Sequence, residues 1–312
     1  MALQPPIFPI DQPVMPEDRQ IGRRPAIDAL ERRVDGAVHQ WLIGPRRIGK
    51  TSVAKAVLAR LRTKNVVALD VDLSKLGIST PEGLAGEIAR QAQAARAGAQ
   101  QGRRLLRLAT RQASRAGTLG NALKDLGFDD EGEALAAVSS VLAAADDGTP
   151  GLASVLEALA LHARATGRRV AILLDEVDLL ARLKGIEGEI SRWAREPDSP
   201  IVFVFAGSEE ASVRALREPG RPLAAVGQEF HLADIATEDW LHGLRQRFQE
   251  ANVTIVDAEL FSIVEASDGH PRRTMLIATY VHEAAGAQPD RTATEVLVTL
   301  AISDAKADHA WT

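Results

Sequence analysis

The sequence predicts an α/β fold, a doubly wound parallel sheet followed by a C-terminal all-helical domain, on two observations of pattern and one of length. Over roughly the first 235 residues, short apolar runs rich in β-branched and aromatic residues alternate with stretches of helical period. Beyond Ile235 the strand signals largely stop and the helical ones continue. At 312 residues the chain has room for one large domain or two modest ones of about 150 residues each.

Taken in order, Val38 to Ile43 (VHQWLI), Val66 to Asp72 (VVALDVD), Val170 to Leu174 (VAILL) and Ile201 to Phe205 (IVFVF) read as buried strands. Helical spacing covers Arg24 to Val34, Lys50 to Arg62, Pro81 to Ala95, Leu152 to Thr166 and Ala211 to Leu216. Glu229 to Leu232 is a fifth candidate strand, after the stretch REPGRP at 217–222. Three capped helices are expected next: Thr237 to Ala251 with its Thr-Glu-Asp start, Ala258 to Ala266 after Asp257, and Arg272 to Ala285 after Pro271. The segment 92–150 carries no strand signal and is rich in Ala, Leu, Arg and Gln, which predicts a helical insertion between two sheet strands. These readings divide the chain into an N-terminal extension at 1–19, a core at 20–235 and a helical domain at 236–312. The last residues, ADHAWT, offer an apolar anchor at Trp311 but are expected to fray.

Composition excludes several classes. With 46% apolar and 25% charged residues the chain is neither disordered nor collagenous. Its longest uncharged small-apolar stretch, Ala134 to Ala145, is about a dozen residues where a membrane helix needs about 18. The start, MALQPPIFPI, has neither a basic opening nor a sustained apolar run, so a cytoplasmic protein is expected. The absence of cysteine removes disulfides, thiolate catalysis and cysteine-ligated metal sites together. A net charge of −5 gives no global attraction for nucleic acid, although a local basic face is compatible with it.

Three motifs carry chemistry. Gly44-Pro45-Arg46-Arg47-Ile48-Gly49-Lys50-Thr51, followed by Ser52, matches G-x-x-x-x-G-K-[ST] directly after a strand and at the start of a helix, the context a phosphate-binding loop needs. Gly44 and Gly49 let the backbone wrap around phosphates, and the loop amides and helix N-terminus supply positive potential. Lys50 is expected to reach the β and γ phosphates and Thr51 to hold Mg²⁺. The strand Val170 to Leu174 runs into Asp175-Glu176-Val177-Asp178, placing carboxylates where open α/β sheets bind ligands. Asp175 suits Mg²⁺, and Glu176 suits polarisation of a water for attack on the γ phosphate. Asp178 either joins them or caps a following helix. Ile201 to Phe205 leads into Ala206-Gly207-Ser208, where Ser208 either orients the water or caps the helix at 211.

Together these motifs resemble the AAA+ ATPases, in particular the STAND branch and the archaeal-type ATPases of prokaryotes, which are similar to origin-recognition initiators. GPRRIGKTS at 44–52 resembles that branch's phosphate loop, and Ile21-Gly22-Arg23, followed by Ile27 and Leu30, resembles its N-terminal box, which lies against the adenine. Asp268-Gly269-His270-Pro271-Arg272 resembles the Gly-x-Pro element and the sensor 2 arginine. The resemblance implies ATP or ADP with Mg²⁺ between the core and a helical lid. In it Gly269 and Pro271 turn the lid onto the base and Arg272 approaches the γ phosphate. His270 is expected to be structural. The family's arginine finger is missing from its usual place, where Gly227-Gln228 stand, with Arg217 and Arg221 a little upstream.

The implied function is ATP hydrolysis coupled to a core-lid change that acts on a partner, with a homo-oligomer or a protein partner completing the site. ATP is preferred to GTP because no Asn-Lys-x-Asp guanine-reading motif is found. Two alternatives remain: a STAND-like switch that holds its nucleotide with little turnover, and a DNA-binding initiator or transposition-type regulator. The last draws on Arg103, Arg107, Arg111 and Arg115, which recur every four residues and form either a phosphate-tracking stripe or a solvated helix face.

Overall fold

The computed structural model describes residues 7–10, 13–14, 17–76, 80–97, 151–183, 185–207 and 210–311. Ser208, the arginines at 103, 107, 111 and 115, and all of the expected insertion at 92–150 beyond residue 97 lie outside the described residues; residues 92–97 continue the helix that starts at Pro81. Packing divides the chain into two compact units, a sheet unit (Ala29–Ile43 and Val57–Phe230) and a helical unit (Met1–Asp28, Gly44–Ala56 and His231–Thr312).

The strands are β1 (Gln40–Ile43), β2 (Val66–Asp72), β3 (Arg169–Asp175), β4 (Ile201–Ala206) and β5 (Gln228–His231). The first helices along the chain are α1 (Arg24–Asp35), α2 (Lys50–Thr63), α3 (Pro81–Ala97), α4 (Leu152–Ala165), α5 (Ile186–Arg195) and α6 (Glu210–Leu216). They are followed by α7 (Thr237–Glu250), α8 (Asp257–Ala266), α9 (Pro271–Gly286) and α10 (Glu295–Ala307).

One five-stranded sheet runs in the order β2-β3-β4-β1-β5, with β2, β3, β4 and β1 parallel. The helices α3, α4 and α5 pack against β2, β3 and β4 respectively. Covered strands need no polar face, which is why these segments read as continuous apolar runs. Across β1 and β4, Trp41 stacks on Phe205 with ring centroids 4.3 Å apart, and its indole N–H donates to the Val226 carbonyl at 2.6 Å. The first strand starts two residues later than expected. Ala37 is left-handed (φ 61°) and Val38 N–H donates to Arg33 O at 3.0 Å, so these residues close α1 instead.

Two helices were not expected. In α5 the apolar face is Ile186, Ile190 and Trp193, with Gly185 and Gly188 lowering the local helix propensity. In α10 the buried face is only Val298, Ala301 and Ala305, too small to mark a period.

Within the helical unit α7 to α10 enclose a second core around Trp240, Leu244, Phe248 and Ile277, to which Phe8 adds its ring 4.9 Å from that of Phe248. The expected caps shift by one residue. Ala236 and Val256 occupy the cap positions without side-chain bonds, Thr237 and Asp257 are the first helical residues, and Asp257 pairs with Arg245 at 2.6 Å. The Trp311 ring lies 5.2 Å from the Arg273 guanidinium in a cation–π contact. No described helix is long and apolar enough to cross a membrane.

His39, beside β1, is a partly buried histidine with both ring nitrogens engaged. Nδ1 accepts the Phe203 N–H at 3.0 Å, so Nε2 carries the proton and donates to Ala194 O at 3.0 Å. Burial holds its pKa below the ordinary histidine value, against the raising effect of the bond to Ala194. The unfolded chain therefore takes up a proton near pH 6.5 that the folded chain refuses. Stability should be fully present above pH 6.5 and fall as the pH drops toward the folded-state pKa. Urea midpoints from pH 7.5 to 5.5 check this, with a smaller fall expected in His39→Ala. At neutral pH that variant should lose about 1–3 kcal/mol, because the Phe203 N–H is left unpaired.

Candidate functional site

In the sheet unit, parallel pairing brings the carboxyl ends of β1, β4 and β3 to one edge. Ala206 of β4 is in register with Leu42 on one side and Asp175 on the other. Asp175 thus stands two strand spacings, about 10 Å, from β1, and the chain passes from the last residue of β1, Ile43, straight into Gly44.

Asp175 is 5% exposed, and its Oδ1 accepts the N–H of Glu176 at 3.1 Å. Glu176 is left-handed (φ 57°, ψ 45°), a conformation that costs a non-glycine residue about 1 kcal/mol. This turn ends β3 and starts the 3₁₀ turn Val177–Arg182, inside which Asp178 lies. Gly207 has no room for a Cβ, which would fall 2.6 Å from Val213 Cγ2 and 3.0 Å from Asp178 Oδ1. On the outer side, Asp72 of β2 is in register with Asp175 and pairs with Lys75 at 3.0 Å. Burial opposes ionisation of Asp72, yet hydrogen bonds from Ser74 and Lys75 hold its carboxyl below the usual range.

In the helical unit the phosphate loop turns through left-handed Arg47 (φ 63°) and Gly49 (φ 99°). A Cβ on Gly49 would meet only Arg23 Nε, at 3.9 Å, so conformation rather than volume calls for glycine there. Lys50 opens α2, is 5% exposed, and donates to the carbonyls of Gly44 at 2.8 Å and Pro45 at 2.6 Å. Ser52 Oγ accepts the Val14 N–H at 3.0 Å, and Gln20 Nε2 donates to Ser52 O at 2.9 Å.

Arg23, expected in the box against the base, is buried beside the loop and donates to Ile48 O at 2.6 Å and Ala233 O at 2.5 Å. Burial lowers its pKa to about 10, against the raising charge of Asp234. Ile21 packs on α7, where a Cβ at Gly243 would lie 2.5 Å from its Cγ1. The turn between α8 and α9 is left-handed at Asp268 (φ 52°) and Gly269 (φ 65°), and Trp240 Nε1 donates to Gly269 O at 2.9 Å. Pro271 and Arg272 are the first two residues of α9.

The two upstream arginines are engaged within the sheet unit. Arg217 pairs with Glu229 and lies 5.5 Å from the Trp41 ring, and Arg221 pairs with Glu187. Gly227 (φ 72°) lets β5 approach, since a Cβ there would fall 2.7 Å from His39 O. The support that Trp240 gives Gly269 carries no sequence signal of its own, because it acts on a backbone carbonyl 29 positions away that only folding brings near.

A family model described as AAA domain matches residues 35–214. Among solved structures, the Walker-type ATPase PABY2304 of Pyrococcus abyssi superposes with a TM-score of 0.64 at 17% identity, covering 96% of this chain and 76% of that one. The ADP form of Aeropyrum pernix ORC2 gives 0.62 at 18% identity, covering 96% and 72%. The Thermotoga maritima RuvB Holliday junction branch migration motor gives 0.52 at 15% identity, covering 96% and 75%. No curated protein matches by sequence. The matched segment is more than half of the chain and contains the phosphate loop, Asp175 and Glu176; this protein belongs to the AAA domain family of P-loop ATPases, with the fold of the origin-recognition-like members.

Proposed function

We propose that this chain binds ATP with Mg²⁺, hydrolyses it, and couples its nucleotide state to a rearrangement of core and lid that acts on a protein or nucleic-acid partner. The observation that carries this reading is the placement of Asp175 and Glu176 at the carboxyl edge of β3, one strand removed from the strand that feeds the phosphate loop. Lys50 would hold the β and γ phosphates, and Glu176 would accept a proton from the attacking water. Thr51 and Asp175 would hold Mg²⁺. Among the described residues no group of three or more acidic, histidine or cysteine side chains is placed to hold a metal. A hydroxyl and a carboxylate are oxygen donors of the kind Mg²⁺ takes alongside phosphate and water. Ile21, Arg23 and Pro271 are assigned to the base side, and Arg272 and Ser208 to the γ phosphate.

A second reading, a nucleotide-held switch with slow turnover, is favoured by the engagement of Arg217 and Arg221 in ion pairs of their own unit. Either a neighbouring copy or another protein would then supply the arginine. The fold is shared with a motor that acts on Holliday junctions and with an ORC1 crystallised with DNA, which keeps nucleic acid among the partners to test.

Steady-state ATP hydrolysis over a wide range of protein concentration, with a nucleotide assay on the denatured protein, decides between them. Turnover per subunit that rises with concentration supports an assembling ATPase. Negligible turnover with bound ADP supports the switch, and neither turnover nor nucleotide binding would overturn the proposal.

A further inference from the structure

The geometry points to His270 as a positioning residue of the phosphate loop: by holding the Arg46 carbonyl it sets the direction of the next amide and ties the loop to the first turn of α9. This inference rests on the nucleotide-binding reading of the same loop.

His270 Nε2 lies 3.2 Å from Arg46 O, and both residues belong to the helical unit. A carbonyl only accepts, so Nε2 carries the ring proton and donates it. A trans peptide directs its C=O and the following N–H to opposite sides. Fixing the Arg46 carbonyl on His270 therefore turns the Arg47 N–H the other way. Arg23 does the same one peptide further on but one, because its bond to Ile48 O directs the Gly49 N–H away from Arg23. A loop that binds anions through its amides needs its carbonyls satisfied elsewhere. His270 and Arg23 supply two of those donors from two different segments of the chain.

His270 is also the cap residue of α9, directly before Pro271 and two residues before Arg272. A change in the loop's peptide planes is thereby felt at the start of the helix that carries Arg272. The ring is kept neutral at physiological pH, chiefly by burial and also by the charges of Arg273 and Arg47, against the raising effect of the bond to Arg46. In a neutral ring this contact requires the Nε2–H tautomer.

The test is direct ATP and ADP binding by the full chain, comparing wild type, His270→Ala and His270→Gln, with thermal midpoints for each. Glutamine keeps an N–H near the position of Nε2. Loss of one positioning hydrogen bond predicts that His270→Ala binds both nucleotides about 3- to 10-fold more weakly. His270→Gln should recover most of that affinity. If His270→Ala binds as tightly as wild type, or His270→Gln binds no better than His270→Ala, the assignment is overturned. Failure of the nucleotide reading is distinct, since wild type itself would then bind neither. Should His270→Ala not fold, imidazole ¹⁵N spectra of the wild type decide. An Nε2–H tautomer whose signal shifts on adding ADP supports the role, and an Nδ1–H tautomer, or a signal unmoved at saturating ADP, overturns it.

Discussion

Glu176→Gln is expected to lower the kcat for ATP hydrolysis by about 10²–10⁴-fold, the usual loss when a general base is removed, while ATP affinity stays within about threefold of wild type. Glutamine has nearly the same shape, and the backbone N–H that Asp175 Oδ1 accepts is untouched by the change. What it lacks is a basic oxygen to take the proton of the attacking water. The left-handed backbone at Glu176 supports this expectation, because a non-glycine residue held at φ 57° is strained by the fold rather than relaxed at a strand end. Single-turnover hydrolysis alongside equilibrium ATP binding separates the two quantities. A kcat within a few-fold of wild type would make Glu176 an ordinary solvated carboxylate and remove the proposed base.

Lys50→Met is expected to weaken ATP binding by about 10- to 150-fold, which corresponds to losing one charge-assisted bond of about 1.5–3 kcal/mol. The ammonium is 5% exposed and sits on the Gly44 and Pro45 carbonyls at the mouth of the loop. Methionine keeps most of the apolar stem and removes the donors. The two carbonyls then lose a partner as well, so a lowered thermal midpoint should accompany the weaker binding. Calorimetric titration with ATP and ADP measures the first effect and a melting curve the second. Affinity within threefold of wild type would separate Lys50 from the phosphates.

Much of the sheet was legible because its signals are local. Val66 to Asp72 was read with the bounds it has in the fold, and β3 and β4 each came within a residue at either end. A strand covered on both faces is a continuous apolar run, and nothing else in a chain with no membrane-length helix pattern has that form. The helical domain was read less evenly. α7, α8 and α9 follow recognisable starts, whereas α10 buries small residues and leaves Val296 and Leu300 exposed, so its apolar pattern points the wrong way.

The caps show the same limit from another side. Thr237 and Asp257 have the residue types that favour a cap, but Ala236 and Val256 hold the extended backbone that defines it. The apolar anchor at Trp311 likewise finds its partner at a distance, because Arg273 provides a surface for its ring.

By itself the sequence determined the parallel α/β class, the phosphate loop at 44–51 and the carboxylate pair at the end of β3, because each is written in consecutive residues whose local conformation suffices to display it. Only the tertiary structure decided that β4 lies between β1 and β3, that Arg217 and Arg221 are held by Glu229 and Glu187, and that Arg23 and His270 grip the loop's carbonyls. His270 and Arg46 are 224 positions apart. The reason is physical: a backbone carbonyl is the same at every residue, so the identity of its donor is fixed by which side chain the folded chain delivers to it, and that information is carried by packing rather than by any motif.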